Sequence, residues 1–173
     1  MTIDAYARPP PAPPGFHPAP QCILHAEFTS PPALRRRRYT GRRLAGIKYE
    51  KKVHAYLAET FGEMYLASPW LRFQERGNSR WRWCQPDGLV FVPAEGRIIL
   101  VECKYQHTSD AWWQVRHLYG PILQYLFPAS LWRLEVCEVV KWYDPAVRIP
   151  ERVVMANEVD MPHEAFKVHI WKP

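Results

Sequence analysis

Three residues near the middle of the chain have types and spacing suited to chemistry: Asp87, Glu102 and Lys104. Two carboxylates offer hard oxygen ligands to a divalent cation such as Mg2+, which keeps several of its waters and takes a phosphate oxygen as a further ligand. A lysine beside them can orient an attacking water or neutralise charge developing on a phosphate. Together these are the parts that hydrolysis of a phosphodiester requires. An Asp followed at a distance by Glu-x-Lys is common by accident, so the weight falls on the elements that would bring the three together.

Gln85-Pro86-Asp87-Gly88-Leu89-Val90-Phe91-Val92 and Arg97-Ile98-Ile99-Leu100-Val101-Glu102-Cys103-Lys104 are two β-rich runs separated by Pro93-Ala94-Glu95-Gly96. This is the pattern of a hairpin. With Pro93 facing Gly96, Asp87 stands opposite Glu102, and opposed side chains have Cβ atoms about 5 Å apart. Their mutual repulsion calls for a cation. Lys104 lies two residues beyond Glu102, so the two-residue period of a strand puts it on the same face. The backbone carbonyl of Cys103 is a natural extra metal ligand, with its thiol on the opposite face. Unbroken apolar character from Ile98 to Val101 predicts a central strand buried on both faces, with helices on either side.

A helix is predicted from about Ala45 to Phe61. At about 100° per residue, Ile47, Val53, His54, Leu57 and Phe61 fall within about 60° of Glu50, while Lys48, Lys52 and Glu59 point away. Glu50 is therefore expected in the middle of the apolar stripe, where a carboxylate is costly unless paired or metal-bound. Two readings stay open for it: a ligand to a second metal or to a metal-held water, and an ion pair with a buried arginine. A further helical stretch is expected from about Asp110 to Phe127, broken or kinked at Gly120-Pro121, with later strands over Leu131 to Trp142 and Lys167 to Trp171. Arg80-Trp81-Arg82-Trp83 alternates strictly, which predicts an aromatic core face and a basic face turned to solvent or to DNA.

Helical Glu50, then Pro86-Asp87, then Glu102-Cys103-Lys104 resemble the PD-(D/E)XK nuclease superfamily over about residues 45 to 140. The resemblance implies an α/β fold with a central mixed β-sheet flanked by helices, the restriction-endonuclease-like core. It implies a Mg2+-dependent phosphodiesterase, Mn2+ substituting, that acts on DNA in recombination, repair, restriction or mobile-element processing. Gln124 is similar to the glutamine of the RecB-type exonuclease branch, which contacts the site or the DNA backbone; Phe127 stands near the place of that branch's tyrosine. The implied catalytic set is Glu50, Asp87, Glu102, Lys104 and Gln124, with Asp87, Glu102, Cys103 and Glu50 around the metal.

The length of 173 residues suits one domain with a single well-buried core, and the net charge of +6 favours a polyanionic partner. Arg35, Arg36, Arg37 and Arg38, followed by Arg42 and Arg43, read as a phosphate-binding arm ahead of the Glu50 helix, because a block of like charge stays solvated unless a polyanion neutralises it. Arg80 and Arg82 complete the expected DNA contacts. Residues 1–33 hold nine of the eighteen prolines and are expected to form a flexible or polyproline-like arm before a nuclease domain over 34–173. The four cysteines show no CxxC spacing, which argues against a zinc knuckle or a redox dithiol. With no apolar leader and no membrane-length apolar run, a soluble, cytoplasmic protein is expected. Two other functions are weighed against the nuclease. One is a non-catalytic nucleic-acid-binding module on the same fold, which would usually have lost a carboxylate or the lysine. The other is an interaction protein that engages a protein partner through its proline-rich arm.

Overall fold

A computed structural model describes residues 12–17, 22–33, 39–106, 109–142, 155–159 and 167–171, and over these the chain is an α/β protein with two sheets. In chain order it runs through β1 (Ile23–Thr29), α1 (Gly41–Phe61), β2 (Tyr65–Ala67), β3 (Trp70–Glu75), β4 (Arg82–Cys84), β5 (Gly88–Val92) and β6 (Arg97–Gln106). There follow α2 (Ser109–Gln114), a π-helical turn (Val115–Tyr119), α3 (Gly120–Leu126), β7 (Arg133–Trp142), β8 (Met155–Val159) and β9 (Lys167–Trp171). Strands β1, β3 and β4 make a small antiparallel sheet. The larger sheet is mixed, in the order β2-β5-β6-β7-β9-β8, with β6, β7 and β9 parallel and antiparallel pairs at both flanks.

The β5–β6 hairpin has the expected register, from Gly88 opposite Val101 to Val92 opposite Arg97. Its turn closes on Gly96 at φ +56°, where a Cβ would sit 2.9 Å from the Leu131 carbonyl oxygen. The Gly96 carbonyl in turn accepts the Arg133 N–H at 2.7 Å, so the turn also starts β7 beside β6. Ile98, Leu100 and Val101 are buried, as a central strand requires. Even-numbered Ile98 and Leu100 pack with Leu89 and Val136 against Val115, Tyr119, Ile122 and Leu123 of the second helical segment and against Leu71 and Phe73 of the small sheet. Odd-numbered Val101 packs with Val90 and Val139 against Tyr49, Val53 and Leu57 of α1. Each fully buried aliphatic contributes about 1.5–3 kcal/mol, so β6 anchors both halves of the core.

Several expectations are corrected. The buried line of α1 is Tyr49, Val53 and Leu57, at i, i+4 spacing, and Glu50 lies one position round from it with its side chain 34% exposed. It borders the apolar stripe rather than occupying its centre. The helical segment continues through Gly120-Pro121 but changes type there. The wider π-helical turn precedes α3, and Pro121, which has no N–H to bond back, fits in its first turn. The segment expected as a proline-rich arm contains β1, whose seven residues lie in the proline-free stretch between Pro20 and Pro31, pair with β3 and bury Ala26. The folded unit therefore begins well before residue 34.

The Arg-Trp run also turns the other way. Pairing of Phe73 with Arg82 and of Leu71 with Cys84 puts Cys84 into the core and lays the Arg82 guanidinium 4.9 Å over the Phe73 ring, where Glu75 neutralises it. Trp83 is left facing solvent. The arginine run Arg35, Arg36, Arg37 and Arg38 lies outside the described residues. Among the described residues no helix is long and apolar enough to cross a membrane.

Candidate active site

Asp87 sits one residue before β5, in a loop held from three directions. Its carbonyl accepts the Ser68 N–H at 2.7 Å, the Gln85 amide donates to the Ser68 carbonyl at 2.9 Å, and the Tyr119 hydroxyl donates to the Gln85 carbonyl at 3.0 Å. Held this way, the Asp87 carboxylate accepts the backbone N–H of Cys103 through Oδ2 at 2.6 Å. It therefore meets β6 between the side chains of Glu102 and Lys104. On that strand Lys104 Nζ lies 2.6 Å from Glu102 Oε1 and donates to Gln114 Oε1 at 2.9 Å. Glu102 is 2% exposed, and its second oxygen, Oε2, is buried with no hydrogen-bond partner among the described residues. An unsatisfied buried carboxylate oxygen is costly and points to a missing positive ligand.

Electrostatics follow from this crowding. Burial pushes the Asp87 carboxyl up to about 6, opposed by the Cys103 N–H bond and Lys104 and aided by Glu50. Burial likewise pushes Glu102 upward, against the pull of Lys104, with Asp87 and Glu138 adding repulsion. Burial works against the Lys104 ammonium, but Glu102, Asp87 and Glu138 outweigh it and hold its pKa above the ordinary lysine value. Among the described residues Asp87, Glu102 and Glu138 all draw on Lys104.

Glu50 approaches from the α1 side of the sheet. His54, one turn further along α1, lies with Nε2 3.2 Å from Glu50 Oε1 and Nδ1 2.5 Å from the Tyr65 hydroxyl; Ser68 Oγ is 3.3 Å from Nε2. Because a carboxylate only accepts, Nε2–H donates to Glu50 and the Tyr65 hydroxyl donates to Nδ1. Tyr65 reaches His54 by lying across Gly88, where a Cβ would meet its hydroxyl oxygen at 2.6 Å. The glycine after Asp87 is thus needed for close approach. Among the described residues no arginine pairs with Glu50.

The structure therefore brings together Asp87, Glu102 and Lys104, with Glu50 near enough to raise the Asp87 pKa. The Cys103 thiol faces α1, as expected, and is held protonated by burial and the surrounding acids. Gln124 makes no hydrogen bond to the described site residues; the glutamine on Lys104 is Gln114, ten residues earlier in α2–α3. Sequence reasoning also passed over Glu138, which pairs with Glu102 across the parallel β6–β7 ladder and is 3% exposed. Its signal was an acid inside the apolar run from Leu134 to Val140. Arg42 and Arg43 are exposed at the start of α1, with the Arg43 guanidinium 4.4 Å over the Tyr39 ring. Arg80 is exposed, whereas Arg82 is engaged by Glu75 and by the His17 carbonyl.

Among the described residues no three His, Cys, Asp or Glu side chains are grouped so that they could hold a metal ion. Mg2+ is usually held by only one or two carboxylates, with waters and substrate phosphate completing its shell. Asp87, Glu102 and the unpartnered Oε2 fit that description. Comparisons with family models, with curated proteins and with solved structures found no match to this chain.

Proposed function

We propose that this chain is a metal-dependent nuclease that hydrolyses DNA phosphodiester bonds, on a restriction-endonuclease-like core, in recombination, repair, restriction or mobile-element processing. The observation that carries the reading is the Asp87 carboxylate bonded to the β6 amide between Glu102 and Lys104, beside a buried Glu102 oxygen without a partner among the described residues. A purely structural cluster would balance its charges. Asp87, Glu102 and the Cys103 carbonyl would hold a Mg2+ or Mn2+ ion, with Glu50 at its margin. Such an ion, when bound, neutralises charge on the scissile phosphate and lowers the pKa of a water.

The chain's own groups do the rest. Lys104, fixed by Glu102 and Gln114, presents an ammonium that orients the attacking water or meets the developing negative charge. His54 fixes the Glu50 carboxylate so that it can accept a hydrogen bond from that water. The helix–sheet sandwich keeps the carboxylates partly out of bulk solvent, which strengthens each of these interactions. The test is incubation of the purified protein with circular and linear DNA in Mg2+, Mn2+ or EDTA. Metal-dependent cleavage that Asp87→Ala and Glu102→Ala abolish is expected, and nicking of the circle assigns endonuclease over exonuclease action. Full activity in either variant overturns the reading.

A further inference from the structure

Hydrolysis at Asp87 makes no use of the tryptophans of the small sheet. The ladder sets Glu27, Arg72 and Trp83 side by side across β1, β3 and β4, and Trp81, two residues before Trp83, shares their face. This is the face turned away from Leu71, Phe73 and Cys84, which fill the core. Trp83 is 44% exposed and, among the described residues, makes no hydrogen bond, ring contact or cation contact. Trp81 is held in place: the Arg72 guanidinium lies 4.4 Å over its ring and the His25 ring meets it edge-on at 5.4 Å. The face thus carries one immobilised indole and one bare indole.

Charge tells what such a face would receive. Glu27 is neutralised by Arg72 and Glu75 by Arg82. Arg76 and Arg80, at the β3–β4 turn, are exposed and have no acidic partner among the described residues. The surplus on this sheet is positive, and Arg76, four residues beyond Arg72, falls on the indole side by the two-residue period of the strand, the combination that tracks a phosphate backbone while aromatic rings take the bases. Duplex DNA hides its base faces within its own stack, so a bare indole gains nothing from it. A single strand offers a π-face at every nucleotide. Trp83 is four residues upstream of Asp87, so the two backbones are at most about 14 Å apart.

We propose that the outer face of the β1-β3-β4 sheet binds single-stranded DNA by stacking its unpaired bases on Trp83 and Trp81, with Arg76 on its phosphates. It rests on the nuclease reading only in one respect, that single-stranded DNA is then the substrate class delivered to Asp87. Binding is measured in EDTA, without cleavage, by fluorescence anisotropy of a labelled oligothymidylate and of a labelled duplex. Trp83→Ala weakens the oligothymidylate by about five- to a hundredfold and leaves the melting temperature and duplex affinity unchanged, while Trp83→Phe recovers most of the loss. Arg76→Ala flattens the salt dependence of oligothymidylate binding by about 0.7 unit. Wild-type affinity in Trp83→Ala overturns the proposal. So does tighter binding of the duplex than of the single strand, or no binding of either, which would leave the face to a protein partner. Failure of Asp87→Ala to stop cleavage sinks the nuclease reading alone, and leaves this binding result standing.

Discussion

Two buried glutamates occupy neighbouring strands of the same sheet and live in opposite circumstances. Glu135, 1% exposed near the start of β7 on the α1 face, lies 2.8 Å from Arg133 Nε and 3.5 Å from Arg97 Nη1, and Arg97 also meets Glu95 at 3.1 Å. Charges there balance. Glu102, 2% exposed on the other face of β6, shares one lysine with Asp87 and Glu138, and leaves an oxygen without a partner among the described residues. A buried acid that serves stability is neutralised within the chain. On the nuclease reading, the positive charge that Glu102 lacks would be supplied by a bound cation.

The largest effect that can break this comparison is on cleavage. Asp87→Asn keeps an oxygen to accept the Cys103 N–H yet removes a ligand charge, so cleavage falls at least about a thousandfold with no loss of melting temperature at pH 8. Glu135→Gln does the reverse: it strands arginine charge, costs about 2 kcal/mol of stability and leaves the cleavage rate intact. Equal loss of cleavage in both variants would erase the distinction between the two clusters.

Glu50→Gln comes next. Its neighbour is His54 rather than a buried arginine, so the amide variant melts like the wild type while cleavage drops about a hundredfold. A large fall in melting temperature would return Glu50 to a structural role.

A pH series sharpens the comparison further. Burial pushes the Asp87 carboxyl up to about 6 from an ordinary 3.8, so the folded state binds the proton more tightly and metal-free stability falls as pH rises through that window. The change is on the order of 3 kcal/mol, at about 1.4 kcal/mol per unit. Glu102, also raised, carries the decline higher in pH; Lys104, raised above 10.5, contributes stability lost only beyond that value. Chemical denaturation of wild type and Asp87→Asn from pH 4 to 7 in EDTA should show the slope in the first and its partial loss in the second. Mn2+ at about a hundredfold its Kd restores about 2.7 kcal/mol to the wild type.

The smallest effect concerns the arginine run. Replacing Arg35, Arg36, Arg37 and Arg38 with alanine should reduce the salt slope of duplex DNA binding by about 0.9 for each phosphate that is no longer neutralised. An unchanged slope would make the run a bystander.

Local pattern was enough to read the hairpin, because its turn residues and apolar runs fix a register within a short stretch of chain, and Asp87 does face β6 at Glu102 and Lys104 as that register requires. The α1 helix and the strands β7 and β9 were legible for the same reason, their periodicity being local. The central position of β6 followed from its unbroken apolar run. What the sequence could not contain was which distant element meets which. The β6–β7 parallel ladder that sets Glu138 beside Glu102, and the helix packing that gives Lys104 Gln114 rather than Gln124, depend on contacts between segments many residues apart. The Arg-Trp alternation showed that arginines and tryptophans take opposite faces but not which face is inside; the pairing of β3 with β4 decided that, by giving the interior to Leu71, Phe73 and Cys84. Alternation is a property of one strand, whereas inside and outside belong to the surfaces that two sheets bury against each other.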